Sequence, residues 1–283
     1  MATIKTVSEL TLERMDKCSD ALAKKYLLSV RAIYGATENG KPDHIGSCVL
    51  LDYHGEKILV TAAHVIDEND FTSLYISGEN KLVQIVVSCL ITAKPNNDRD
   101  KDKFDFAVLP ISDELASNLG DVYFIPESNW ELHDLPAKDR YCLALGFPNS
   151  RNKKIDAARN IVKLEPFVYT STLKSDPELF EEIEFSIADH YLLDFCSKHS
   201  KDSSNKITNS IRPKGVSGGG LFLIEDMANP DSYRPEAECS GKFLGILIEQ
   251  RKNKKVLVFT KISTIKKALT LRSSGTAQKR AAP

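Results

Sequence analysis

Apolar residues recur at steps of three and four along residues 6–28, where Leu12, Met15, Cys18, Leu22 and Tyr26 fall on one stripe. That spacing predicts a helix, and Thr6 followed by Glu9 has the form of a capping box at its start. From Leu28 onward the texture changes to short β-rich runs: "LLSVRAIY", "HIGSCVLLDY" and "KILVTAAHVID", with "DYHGEK" as a hairpin turn. Further strands are predicted at "SLYISG", "LVQIVVSCLITA", "FDFAVLPI", "YCLALGFPNS" and "ADHYLLDFCSK". "KFLGILIEQ" and "KVLVFTKI" form a closing hairpin whose basic tip, "RKNKK", reads as a solvated turn. Two more helices are expected. One lies in "SDPELFEEIEF", capped by Ser175 with Pro177 in its first turn; the other is "STIKKALTL", with Ile262, Ile265 and Leu269 on one face. "HSKDSSNKITNS" reads as a polar loop and residues 272–283 as a disordered tail. The fold class is all-β, with a helical segment at residues 1–28 and the main domain at 29–271.

Composition adds mostly exclusions. The chain has 283 residues, 42% hydrophobic and 27% charged, with a formal net charge of −1, so no global field attracts nucleic acid or a membrane. No run of 18 apolar residues occurs, and the start lacks a charged segment followed by an apolar one, which predicts a cytoplasmic protein. Cys18, Cys48, Cys89, Cys142, Cys196 and Cys239 show no paired spacing and are expected as free thiols. His190 and His199, nine apart, match no metal-ligand spacing; neither a metal nor another cofactor is expected.

The candidate chemistry sits in three places. "PKGVSGGGLF", residues 213–222, sets Ser217 among Gly215, Gly218, Gly219 and Gly220, a density that a regular strand would not tolerate. A serine in such a turn has backbone N–H groups beside it, as acyl transfer requires of a nucleophile with an oxyanion hole. A strand runs directly into His64. Asp105, flanked by Phe104 and Phe106, opens an apolar strand, and a buried carboxylate there needs a partner. Asp98, Asp100 and Asp102 are expected to be solvated.

"VTAAHV" at His64, "DFAVL" at Asp105 and "GVSGGG" at Ser217, in that order, resemble the trypsin-like serine proteases of the chymotrypsin fold. The likeness covers residues 29–271. It implies two antiparallel six-stranded β-barrels with a cleft between them and a Ser-His-Asp triad. In that triad Ser217 is the nucleophile, His64 the general base and then acid, and Asp105 its orienter, with the N–H groups of Gly215 and Ser217 as the oxyanion hole. Ile211, Ile248, Glu249 and Gln250 would line the substrate pocket. The absence of Asp from 210–216 argues against a preference for Arg or Lys, with Glu249 as the available charge. Val216 stands where pancreatic-type members have an Asp that pairs with a cut N-terminus, so activation by N-terminal cleavage is not expected. The pattern looks more like HtrA-type or stand-alone bacterial peptidases, although no PDZ-like segment follows; a role in stress response or phage defence is what such relatives imply. The expected partners are a protein or peptide substrate and a regulatory protein, the N-terminal helix being one place for gating. A scaffold on the same fold without turnover, or an esterase using the same triad, are the alternatives.

Overall fold

The computed structural model of the chain describes residues 5–39, 41–79, 81–86, 88–135, 140–152, 164–196, 200–201, 207–208, 213–227, 229–234 and 236–280, with backbone alone at 200–201, 207–208, 230 and 273–280. Helix α1 (Val7–Tyr26) opens the chain, and Thr6 and Glu9 form the expected capping box. The first half continues through β1 (Val30–Ala36), β2 (Pro42–Tyr53), β3 (Glu56–Ala62), α2 (Ala63–Asp67), β4 (Tyr75–Ser77), β5 (Leu82–Gln84), β6 (Leu90–Ile91), β7 (Phe106–Pro110), α3 (Asp113–Ser117) and β8 (Ile125–Pro126). The second half holds β9 (Tyr141–Gly146), α4 (Asn149–Asn152), β10 (Phe167–Lys174), α5 (Pro177–Glu182), β11 (His190–Asp194), β12 (Ser200–Lys201), β13 (Ile207–Thr208), β14 (Gly220–Ile224), β15 (Gly241–Arg251), β16 (Val256–Lys261) and α6 (Ile262–Arg280).

The six strands β10, β11, β16, β15, β14 and β9 close into an antiparallel barrel. The first half does not repeat this. Its eight strands run β5-β4-β1-β2-β3-β7-β6, with β8 parallel to β2, as a sheet that is open among the described residues. Of the two expected barrels one is closed, and a second closed barrel is not shown among the described residues: at the two ends of the path stand β5 with three residues and β6 with two. β12 and β13 pair as a small ribbon within the stretch expected as a loop.

The central strands are buried on both faces, which is why "CVLL" and "ILV" read as continuous apolar runs rather than alternations. Cys48 and Leu50 point into a cluster confined to the first sheet, together with Ile33, Leu59 and Leu109. Val49 and Leu51 point the other way, into a larger cluster shared with Leu143, Leu145 and Phe222 of the barrel. Cys18, Leu22 and Tyr26 of α1 and Ile262, Ile265 and Leu269 of α6 join that shared cluster, so both helices are part of the core that joins the halves. Tyr26 stacks on Phe222 with ring centroids 4.2 Å apart. α6 extends to Arg280, through most of the stretch expected as a disordered tail. The cap of α5 also falls one residue later than expected: Asp176, not Ser175, accepts from Glu178 N at 3.1 Å, placing Pro177 at the first helical position. Among the described residues no helix is long and apolar enough to cross a membrane.

Not all six cysteines are free. Cys18 of α1 is bonded to Cys239, with Cα atoms 5.1 Å apart, and only Cys48, Cys89, Cys142 and Cys196 remain as thiols. This removes the argument from free thiols for a reducing compartment. The Arg14 guanidinium adds to the tether by donating to the carbonyls of Ala237, at 2.8 Å, and Glu238. Because the bridge closes a loop with a sequence separation of 221, it removes much entropy from the unfolded chain. The paired Cys18→Ser, Cys239→Ser variant is expected to lose about 2–4 kcal/mol of stability, read as a lower midpoint in urea unfolding. Thiol reductant should lower the midpoint of the parent protein in the same way and leave the variant unmoved.

Candidate active site between the open sheet and the barrel

His64 lies in the first turn of α2, directly after β3, with its side chain 40% exposed. Asp105 precedes β7, which pairs with β3, so the two residues meet at one end of the same strand pair. One carboxylate oxygen accepts from the His64 backbone N–H at 2.9 Å, and the other lies 2.6 Å from the ring Nδ1. A carboxylate held at both oxygens leaves the imidazole little freedom and turns Nε2 away from Asp105. Burial pulls the His64 pKa down, but the hydrogen bond to Asp105, the Asp105 charge and Asp67 together hold it above the usual histidine value, against Arg99.

Asp105 itself has φ +40°, in the left-handed region that costs a non-glycine residue free energy. Its segment is correspondingly pinned. The Asp105 carbonyl accepts from Ala63 N at 3.0 Å, the Phe104 carbonyl from Thr260 Oγ1 at 2.6 Å, and the Lys103 carbonyl meets His190 Nε2 at 2.8 Å. His190 and Thr260 are cross-strand partners on β11 and β16, so the barrel grips the segment that carries Asp105. From the other side comes Arg99, whose side chain is 13% exposed. It donates twice to Asp67, at 2.8 and 3.1 Å, and once to Asp102 at 2.6 Å. Asp67 lies three residues after His64 and Asp102 three before Asp105, so one guanidinium joins the two segments. Asp102 is thus not solvated as expected: its side chain is 4% exposed, it also accepts from Phe104 N at 3.1 Å, and the Thr92 hydroxyl donates to it.

Ser217 is half-buried in the Gly-rich turn that leads into β14. The turn rests on β2. Ser47 N donates to the Ser217 carbonyl at 2.8 Å, and the Ser47 hydroxyl donates to the Gly215 carbonyl at 3.2 Å. Gly215 and Gly218 both have positive φ, +90° and +83°. A Cβ on Gly218 would stand 2.0 Å from the Ser47 carbonyl oxygen, so that position must be glycine for space as well as for conformation. Among the described residues the N–H groups of Gly215 and Ser217 find no acceptor, and the Ser217 hydroxyl makes no hydrogen bond, including none to His64. In ligand-free sites such bonds are commonly long and tighten on complex formation.

The expected pocket residues divide. Ile248 is the extra residue where the β15–β16 register shifts between Leu247 and Glu249, and it is 5% exposed and part of the shared core cluster. Glu249 and Gln250 are half-exposed. Pairing of β14 with β15 ends at Gly220 opposite Ile246, so both residues lie beyond it, on the strand that passes the Ser217 turn. Burial holds the Glu249 carboxyl above its usual range, against Arg251 and Lys103, with Asp100 and Asp105 adding to the rise. Ile211 lies outside the described residues.

No protein-family model and no curated protein matches the chain. Among solved structures it is similar to one from work on aromatic interactions that drive the coupled folding and binding of the intrinsically disordered Sesbania mosaic virus VPg protein. The two share 15% identity with a TM-score of 0.46, over 83% of this chain and 86% of that one. At that score the likeness says nothing about chemistry.

The Arg99 bridge gives the site a testable dependence. Arg99→Met leaves Asp102 buried without its cation and should lose about 3 kcal/mol in urea unfolding. Lys94→Met, which leaves Asp67 its two bonds from Arg99, should lose under about 1 kcal/mol.

Proposed function

We propose that this chain is a serine endopeptidase of the trypsin-like type, working through Ser217, His64 and Asp105. The observation that carries the reading is the two-point hold of Asp105 on His64, at the backbone N–H and at Nδ1. A carboxylate so placed fixes the tautomer with the proton on Nδ1, leaves Nε2 as the free base, and stabilises the imidazolium once it forms. The free N–H groups of Gly215 and Ser217 supply donors for an oxyanion beside the serine.

The chemistry follows from those roles. Ser217 Oγ attacks the substrate carbonyl carbon as its proton passes to His64 Nε2. The carbonyl electron pair moves onto oxygen, where the two N–H groups receive it. Collapse of this intermediate breaks the C–N bond, and the departing amine takes the proton from His64. Water then attacks the acyl-enzyme through the same base, releasing the carboxylic acid and restoring the serine hydroxyl. Glu249, on the strand beside the turn, supports a contact with substrate side chains on that wall.

A fluorophosphonate probe tests the core of the reading. Labelling is expected at Ser217 and should vanish in Ser217→Ala; no labelling of the parent protein, or labelling that survives the substitution, overturns it. The labelling rate should also depend on pH with a sign set by His64. Only the neutral ring can take the serine proton, so the rate falls as pH drops through the His64 pKa. Since that pKa is raised, the midpoint should lie above about 6.5. Asp105→Asn removes the raising charge, so the midpoint should move to lower pH while the plateau rate falls on the order of 10⁴-fold.

A further inference from the structure

Four consecutive peptide planes run through the turn, and each has its carbonyl held. Lys214 O accepts from Asn149 N at 2.7 Å, Val216 O from Gly219 N at 2.7 Å, and Ser217 O from Ser47 N at 2.8 Å. These three bonds are backbone to backbone and do not depend on which side chain is present. The remaining plane joins Gly215 to Val216. Its N–H donates to Pro213 O at 2.9 Å, and its carbonyl is held by the hydroxyl of Ser47. The same hydroxyl accepts from Phe147 N at 2.9 Å, so its one donor and a lone pair are both committed. Ser47 is fully buried, and its own carbonyl is fixed by the Thr61 hydroxyl at 2.6 Å, which leaves the residue no play.

Why this plane matters follows from the glycine. Gly215 at φ +90° has more accessible conformations than any other residue type, so pinning one of its two flanking peptides does not fix the residue. Asn149 N sets the Lys214–Gly215 plane. In a trans peptide C=O and N–H point oppositely, so this bond directs the Gly215 N–H away from α4. The Ser47 hydroxyl, at the carbonyl end, and Pro213 O, at the N–H end, set the next plane, and through it the angle between the Gly215 N–H and the Ser217 N–H two residues later. We infer that Ser47 is a positioning residue for the turn: its hydroxyl keeps the Gly215 and Ser217 N–H groups converged on one point without itself touching substrate. This rests on the protease reading of the site, in which that point is the oxyanion.

The test compares the parent protein, Ser47→Ala and Ser47→Cys, using the fluorophosphonate probe and following its labelling as a function of concentration and pH. In Ser47→Ala the maximal labelling rate should fall about 10- to 100-fold, less than for outright loss of an oxyanion donor, with the half-saturating probe concentration changed less than about twofold. The pH midpoint set by His64 should stay where it is, because the hydrogen bonds of Ser47 go to Gly215, Phe147, Thr61 and Ser217 and not to that ring, and this separates lost positioning from general loosening of the site. Ser47→Cys keeps the shape with a weaker donor and should fall between the two; it also serves if the alanine variant does not fold. Maximal rates in both variants equal to the parent, or a loss confined to probe affinity, or a shifted pH midpoint, would overturn the inference. A parent protein that fails to label defeats the protease reading itself, whereas a parent that labels beside unchanged variants defeats only the role of Ser47.

Discussion

The Asp105 carboxylate is the point on which both halves of the molecule bear. It ties the backbone and ring of His64 through its two oxygens, and its own backbone sits at a strained positive φ that local sequence does not favour. Such a conformation persists only if its surroundings over-determine it. Here they do, from two directions: Ala63 of α2 and Arg99 in the first half, Thr260 and His190 within the barrel. The packing of sheet on barrel therefore bears directly on the Asp105 segment. It sets the backbone of the residue that orients the histidine.

The sequence signalled what is local. His64 follows a strand, Asp105 opens one, and Ser217 stands in a glycine cluster, and each pattern fits within ten residues. Strand runs and the helical stripe of α1 were readable for the same reason. Closure of a sheet is not a local property: β5 and β6 carry the right residue types, but their shortness shows only once their partners are known. Ser47 is an unremarked serine in "HIGSCVLL", and its role arises from contact with a residue 168 positions away. The disulfide links positions 221 apart, with no spacing to announce it.

Asp102 shows why charge pattern misleads. In "NNDRDKDK" alternating charges suggest a solvated loop, yet the short turns at Pro95–Asn97 and Arg99–Lys101 fold Arg99 back over Asp102. The pair then reaches Asp67 on the helix of His64. Burying that network is costly in itself, and its favourable return is geometric rather than energetic: two segments distant in sequence acquire a fixed separation. Burial alone would raise the Asp67 pKa, but the hydrogen bonds and charges of Arg99 and Lys94 outweigh that rise and hold the carboxyl below its usual range.

The glycines of the Ser217 turn acquire different reasons once their neighbours are seen. Backbone freedom accounts for Gly215 and Gly218, whose φ values are positive. It does not account for Gly219 or Gly220. There a Cβ would meet the Leu145 carbonyl oxygen at 2.3 Å and the Phe222 ring at 2.6 Å. Gly46 on β2 and Gly146 on β9 follow the same rule, their missing Cβ positions lying 2.6 Å from Val65 and 2.5 Å from Val216. Val65 is the neighbour of His64 and Val216 the neighbour of Ser217. Glycine on the two opposing strands thus lets the segments bearing the proposed base and nucleophile sink against β2 and β9, and that close approach brings Ser47 within reach of Gly215. The glycine density first suggests a mobile loop; in the folded chain it permits the opposite, a turn packed so closely that a single buried hydroxyl can set its geometry.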